Sequence, residues 1–209
     1  DPAASEAIVN YLRIKFNKDI RAIVPQLAMS AGTMIACSAK EIIMGKQSSL
    51  GPIDPQFNGI PAYNIKSEFE EAKEDLLNNP KHAQYWMIKL QQYPAAFMKT
   101  ALDAIELSGK LVREWLGSCM YDKNTDKEII DKIVNSLNEH DNSKNHGRHL
   151  NMEFCKDIGL KINALEDDAE LQDLVLSVHH AYMITLDGTS AAKIIENQNG
   201  KILISNIPG

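Results

Sequence analysis

The sequence lacks several features that would assign it to familiar classes of protein. The 209 residues contain no run of about 18 apolar residues, which a helix needs to cross a bilayer. The turn from Gly45 to Gly51 is not followed by the lysine-serine pair of a phosphate loop, so ATP binding within this chain is not predicted. We also find no internal repeat and no low-complexity tract. The 44% apolar content instead predicts an ordinary folded domain with appendages.

The sequence has fewer basic than acidic residues and only three cysteines. Lysine and arginine number 22 against 28 aspartate and glutamate residues, a net charge of -6, and no basic stripe interleaved with aromatic residues predicts a nucleic-acid partner. Cys37, Cys119 and Cys155 are far apart in apolar or helical patterns, which indicates reduced thiols and a location in the cytoplasm or at the cytoplasmic face of a membrane. The histidines of residues 138–149 match no standard zinc spacing, so neither a metal nor another cofactor is predicted.

A serine between a predicted strand and a predicted helix is the most informative feature that is present. Residues 21–25 are rich in branched apolar side chains and predict a strand, while residues 33–40 predict a short buried helix and residues 41–45 a second buried strand. Small residues surround Ser30 and allow a tight turn. Such a turn exposes the hydroxyl beside a helix N-terminus, which suits a nucleophile in acyl transfer. The alternative is that Ser30 simply caps the helix.

Three segments around Ser30 resemble the serine dehydrogenase proteinase family: residues 28–33, 39–45 and 48–56. The resemblance is weaker in residues 145–160. This family is similar to the signal peptide peptidase A proteases and, more distantly, to the Clp protease and crotonase folds. The resemblance implies an α/β fold, a spiral of ββα units with added helices and a C-terminal hairpin, and a peptide or protein substrate.

The resemblance implies a serine peptidase in which Ser30 attacks a peptide carbonyl while a general base takes its proton. Residues 50–54 contain no histidine where Clp-type proteases have one. The signal peptide peptidase A relatives use a lysine a few tens of residues downstream, which points to Lys66 here. A lysine base requires a dry or electropositive setting. Lys73 and Lys46 are the next candidates for the base, and His146 is a further alternative.

Lys66 also has an interpretation without catalysis. Lys66, Glu70 and Lys73 have helical spacings that suit a row of ion pairs on an exposed surface.

An oxyanion hole is the second requirement of the peptidase hypothesis, and the backbone N–H of Ala31 is the predicted donor. In the resembled families a Gly-Gly turn before the first helix supplies another donor. Residues 1–7 look like the start of that helix, so we expect the preceding strand and glycines to lie before Asp1. Related proteases often carry a signal or membrane anchor, and membrane association would then occur through a segment absent from this chain.

The pattern along the chain predicts two parts. Residues 1–165 are predicted to form the protease-like domain, with a helical insertion over about 66–137, and residues 166–209 a C-terminal helix and hairpin. Residues 107–110, Leu-Ser-Gly-Lys, are predicted to separate two helices. Asn199-Gly200 between two apolar segments predicts a β-hairpin, since both residues tolerate positive φ. Apolar and aromatic residues at helical spacing over 85–105 favour a core or a subunit interface, so a homo-oligomer is predicted.

Two other functions fit the same fold. A crotonase-like acyl-CoA enzyme needs an oxyanion hole and a pocket for coenzyme A, but no nucleophilic serine. A noncatalytic oligomeric scaffold keeps the fold without the chemistry.

Overall fold

Helices and strands alternate in the first part of the chain, and helices dominate further on. The structure is a computed structural model, and it describes residues 2–138 and 148–207. The α-helices are α1 Pro2–Phe16, α2 Ala31–Ala36, α3 Ala62–Asn78, α4 Ala83–Leu90, α5 Phe97–Trp115, α6 Lys127–Asn138, α7 Met152–Ile158 and α8 Ala169–Gly188. The strands are β1 Arg21–Val24, β2 Leu27–Ala28, β3 Glu41–Met44, β4 Ser49–Leu50, β5 Gln56–Phe57, β6 Ile60–Pro61, β7 Ile162–Ala164, β8 Ala191–Glu196 and β9 Ile202–Asn206.

Parallel strands form the centre of the fold. β3 lies between β1 and β7, and β1 pairs with β3 in parallel from Arg21 opposite Glu41 to Val24 opposite Met44. The next strands, β2 and β4, form a separate parallel pair with Ala28 opposite Leu50. Parallel neighbours require a crossover connection, and α2 lies within both crossovers. The order of strand, serine, helix and strand that the sequence predicts is therefore present, and the chain is a mixed α/β protein.

Buried apolar side chains explain why these elements stay together. β3 is a central strand in which Ile42 and Met44 on one face and Ile43 on the other are all buried, as expected for a parallel strand covered on both faces. A separate cluster joins α3 to α5 through Ala62, Ile65 and Ala101. The rings of Phe57, Phe69 and Phe97 pack against this cluster, and the Tyr93 ring packs against those of Phe69 and Phe97. Much of the aromatic pattern around residues 85–105 thus serves the core.

The predicted break at residues 107–110 is wrong, because α5 continues from Phe97 to Trp115. Gly109 lies buried inside this helix, where a glycine ordinarily costs about 1 kcal/mol relative to alanine. A Cβ at this position would lie 3.1 Å from Asn138 Nδ2 and 3.3 Å from an Arg113 nitrogen. The glycine thus permits close packing against α6 and does not end the helix.

The described chain divides into two compact units, one ending at Asn163 and the other beginning at Ala164. The second unit contains α8 and an antiparallel hairpin of β8 and β9. The hairpin predicted at Asn199-Gly200 is present. Its loop is closed by the N–H of Asn197, which donates to the carbonyl of Lys201 at 3.0 Å, and of Asn199 and Gly200 only Gly200, with φ 69°, has positive φ. Among the residues described, no helix is long and apolar enough to cross a membrane.

Candidate active site

Ser30 lies at a tight turn between β2 and α2. The N–H of Gly32 donates to the carbonyl of Met29 at 2.8 Å and closes the turn. Ser30 has φ 49° and ψ -109°, the conformation of the first central residue of a type II′ turn, which glycine usually occupies. A residue with a Cβ in such a conformation costs on the order of 1–3 kcal/mol and persists only where its surroundings impose it.

The side chain of Ser30 does not cap α2, although Ser30 is in the N-cap position. An ordinary N-cap has extended backbone, and its side chain accepts a hydrogen bond from an N–H of the first turn. Asn151 shows this arrangement at the start of α7, with φ -70°, ψ 171° and its Oδ1 accepting from Phe154 N at 2.9 Å. Ser30 has neither property, so the capping alternative does not describe this residue.

The buried hydroxyl of Thr33 holds the turn in place through hydrogen bonds. The Thr33 side chain is fully buried, and its Oγ1 lies 2.7 Å from the carbonyl oxygen of Ala28 and 2.9 Å from that of Gly51, to which it can donate. The same oxygen accepts from Gly51 N at 2.9 Å. A Cβ on Gly51 would lie 2.6 Å from Met29 Cε and 3.3 Å from Met29 Cα, so glycine is needed for this close approach. These contacts bind the segment after β4 to the turn that carries Ser30.

Ser30 is half-buried and lines a cavity of about 460 Å³. Ala31, the predicted oxyanion donor, lines the same cavity and is the first residue of α2, where an N–H has no acceptor within its helix. A strained, half-buried serine between a strand and a helix, with an N–H donor beside it, is typical of hydrolases that use a nucleophilic serine.

Lys66 lines a different cavity, of about 560 Å³, on the side of α3 that faces α5 and α6. Its Nζ lies 3.8 Å from Glu70 Oε1 and 5.8 Å from the centre of the Tyr63 ring. The side chain is 38% exposed, so the dry setting required of a lysine base is absent. No hydrogen bond joins Lys66 to Ser30 in the described chain. Lys66 as general base stays a prediction.

The other candidates for the base lie elsewhere in the chain. Lys73 is an exposed residue of α3, and Lys46 is exposed in the loop between β3 and β4. His146 lies outside the described residues. Within residues 2–138 and 148–207, no three His, Cys, Asp or Glu side chains come close enough to hold a metal ion.

Asp54, which the sequence analysis does not identify as a candidate, has a buried carboxyl group close to the Ser30 and Lys66 cavities. Its neighbours Ile53 and Pro55 line the Ser30 cavity, and the N–H of Tyr63 in the first turn of α3 donates to its carboxyl group. Asp54 is 5% exposed, and its Oδ1 has no hydrogen-bond partner among the residues described. Burial raises the pKa of this carboxyl to about 7, while the hydrogen bond from Tyr63 opposes the shift. The signal in the sequence was an aspartate between apolar and proline residues.

The cysteines fit the expectation of buried thiols in part. Cys37 and Cys155 are buried, whereas Cys119 is partly exposed, and all three are free. Burial raises the pKa of the Cys37 thiol and that of the Cys155 thiol, the latter to about 12. Neither buried thiol is therefore suited to act as a nucleophile near neutral pH.

A strand, a serine turn and a helix that follow one another in an α/β fold are also found in many serine hydrolases. Residues 3–175 match the family model of ClpP-like SDH-type serine proteinases, and the chain belongs to this family. Two relatives come from Methanocaldococcus jannaschii. The uncharacterized protein MJ0137 is 46% identical over 57 residues, which cover 27% of this chain and 20% of that protein.

The second relative, the uncharacterized protein MJ1495, is 29% identical over 141 residues, which cover 68% of this chain and 41% of that protein. The chain thus spans less than half the length of either relative. No solved structure matches the chain.

Proposed function

We propose that this protein is a serine peptidase in which Ser30 is the nucleophile. The observation that carries the proposal is the Ser30 backbone, with φ 49° and ψ -109°, at the edge of a cavity and with a hydroxyl that does not cap the helix. Strain of this kind is concentrated at functional sites. Membership of a serine proteinase family supports the same chemistry.

In the proposed reaction the Ser30 oxygen attacks the carbonyl carbon of a peptide bond while a general base accepts the hydroxyl proton. The carbonyl oxygen becomes an anion, which the N–H of Ala31 stabilises. The base then protonates the departing amine. Water next attacks the acyl-serine ester and gives a proton to the base, which returns a proton to the Ser30 oxygen as the carboxylic acid leaves. In the resembled families a glycine turn before the first helix supplies the second oxyanion donor.

Two residues are the candidates for the base. Lys66 is the base that the resemblance implies, and it would need to leave Glu70 and the solvent to act. Asp54 is favoured by its burial, its unpartnered oxygen and its place between two residues of the Ser30 cavity. Among the described residues that line that cavity there is no lysine, arginine, histidine, aspartate or glutamate, so a base from the described chain must approach from outside the lining.

A small fluorophosphonate tests this proposal, because it forms a covalent adduct only with an activated serine. We expect an adduct on Ser30, located by mass spectrometry, and no adduct in Ser30→Ala. Lys66→Ala and Asp54→Asn then identify the base, since the variant that lacks it should label at least about 100 times more slowly. Lys110→Ala, which removes an exposed lysine of α5 that lines neither cavity, is the matched control.

Absence of an adduct on folded protein would contradict the peptidase proposal and favour a noncatalytic role. Equal rates for Lys66→Ala and Lys110→Ala would exclude Lys66 as the base.

We further propose that the protein forms a homo-oligomer. Large apolar side chains remain exposed on α1, including Tyr11 and Ile14, which are 60% and 80% exposed. Others lie on α8 and the hairpin, where Ile184 is 72% exposed and Leu203 63%. Faces of this kind are typical of subunit contacts. Light scattering of the purified protein measures the subunit number.

The remaining proposals follow from the family resemblance. The parallel strands and crossovers support a Clp-type spiral of ββα units. Free, mostly buried cysteines support a cytoplasmic location or the cytoplasmic face of a membrane. Membrane association, where it occurs, would then use a segment outside this chain.

A further inference from the structure

The cavity beside Ser30 has an uncharged lining. Besides Ser30 and Ala31, it is lined by Pro2, Met34, Ile53, Pro55, Gln56, Phe57, Thr100 and Ala104. Met34 and Ile53 are 2% and 1% exposed. A volume of about 460 Å³ lies in the lower part of the range of small-ligand pockets. The cavity therefore offers an apolar compartment next to the candidate nucleophile.

Charged side chains line the cavity that contains Lys66. That cavity is lined by the cations Lys66 and Arg113 and the acids Glu70 and Glu106, among other residues. Arg113 Nε donates to Asp131 Oδ1 at 2.8 Å, so part of this charge is already paired. The Ser30 cavity and the Lys66 cavity therefore differ in the charge of their linings.

Helix α5 forms one wall of the Ser30 cavity. Thr100 and Ala104 are four residues apart and lie on the same face of the helix. Thr100 is exposed and Ala104 half-buried, and the methyl group of Ala104 occupies little space. A longer side chain at either position would enter the cavity, so these two residues control its size and charge.

We infer that this cavity receives an uncharged, apolar side chain of the substrate, that of the residue whose carbonyl Ser30 attacks. The inference rests on the proposed peptidase function and adds the substrate class to it. A charged side chain would lose its water here and find no charged partner, which disfavours binding. An apolar side chain would leave water for a matching surface. Ala104 and Thr100 are then the residues that determine specificity.

Peptidyl phosphonates that differ only in the side chain next to phosphorus test this inference on the purified protein. Leucine, aspartate and lysine analogues are compared by the rate at which each forms an adduct on Ser30, with the small fluorophosphonate as reference. We expect the leucine analogue to react at least about tenfold faster than the two charged analogues, a typical selectivity of an apolar pocket.

Variants of α5 then test the location of the pocket. Ala104→Lys should raise the rate of the aspartate analogue relative to the leucine analogue by about tenfold. Thr100→Lys, at an exposed position that tolerates lysine, should shift the ratio in the same direction. Leu107→Lys adds the same charge to an exposed position of the same helix outside the cavity, and should leave the ratio unchanged.

The outcomes separate this inference from the proposed function. If the small fluorophosphonate does not label Ser30 in folded protein, both are overturned. If it labels Ser30 but the three peptidyl analogues react at equal rates, or if Ala104→Lys and Thr100→Lys both keep the preference of the original protein, only the inference about the substrate is overturned.

Discussion

Replacing Ser30 by glycine should give a more stable protein than replacing it by alanine. Ser30 has φ 49° and ψ -109°, where a Cβ is crowded by the backbone. Alanine keeps the Cβ and the resulting cost of about 1–3 kcal/mol, whereas glycine removes it. Glycine also gives the unfolded chain more freedom, which costs about 0.4–1 kcal/mol. We therefore expect Ser30→Gly to exceed Ser30→Ala by about 1 kcal/mol in free energy of unfolding.

Urea unfolding followed by circular dichroism measures this difference, and thermal unfolding supplies a second measurement. For a chain of this size, 1 kcal/mol corresponds to about 2–4 °C in Tm. Both variants lack the Ser30 hydroxyl, so both should fail to react with the fluorophosphonate. Ser30→Gly would then be a more stable and inactive protein, the result expected when a strained conformation is kept for function.

Ser67 provides the matched control, because it is an exposed serine inside the regular helix α3. There glycine should be less stable than alanine by about 1 kcal/mol, the ordinary helix preference. The sign of the glycine-alanine difference should therefore be opposite at the two serines. If Ser30→Gly is less stable than Ser30→Ala, as at Ser67, the backbone at Ser30 is not strained and the argument from strain fails.

Two other perturbations test the surroundings of Ser30. Thr33→Val keeps the shape of the side chain but leaves the buried N–H of Gly51 without an acceptor. The free energy of unfolding, measured with urea, should therefore fall by about 1–3 kcal/mol. A loss below about 0.5 kcal/mol would show that the hydroxyl does not hold the turn. The pKa of about 7 for Asp54 lies above its ordinary value of 3.8, so between about pH 4 and 7 the folded protein keeps a proton that the unfolded chain releases, and stability falls as the pH rises through this window. In Asp54→Asn this decrease should be absent, so the urea midpoint of the variant should rise relative to that of the original protein between pH 4 and 8. A difference between the two midpoints that does not change with pH would contradict the raised pKa.

The sequence predicts the local elements near Ser30 well because their signals are local. Branched apolar residues at 21–24 and 41–44 form the parallel strands β1 and β3, as predicted. α3 likewise ends at Asn78, two residues before Pro80, whose ring does not fit inside a helix. In each case the residues that specify the element lie within it or next to it, so a short window contains the information.

Predictions fail where residues distant in sequence decide the outcome. Gly109 resembles a helix breaker, but it lies inside α5 because Asn138, on another helix, packs against it. The burial of Asp54 depends on the N-terminus of α3 and on apolar neighbours brought together by the fold. No pattern of spacing reveals such contacts. For the same reason, the sequence does not indicate that Ser30 and Lys66 line separate cavities.

The strained turn at Ser30 follows from constraints that reach it from both sides. β2 ends two residues before Ser30 and is held in register by β4, with Ala28 opposite Leu50. The segment after β4 returns to the turn through Gly51, whose N–H and carbonyl both lie 2.9 Å from Thr33 Oγ1. The chain on either side of Ser30 is therefore fixed, and the serine has to bridge the gap at positive φ. An N-cap serine would need none of these contacts, since its own hydrogen bond would be sufficient. Thr33 and Gly51 thus serve mainly to hold this one turn. This arrangement is expected if the position of the Ser30 hydroxyl matters for catalysis.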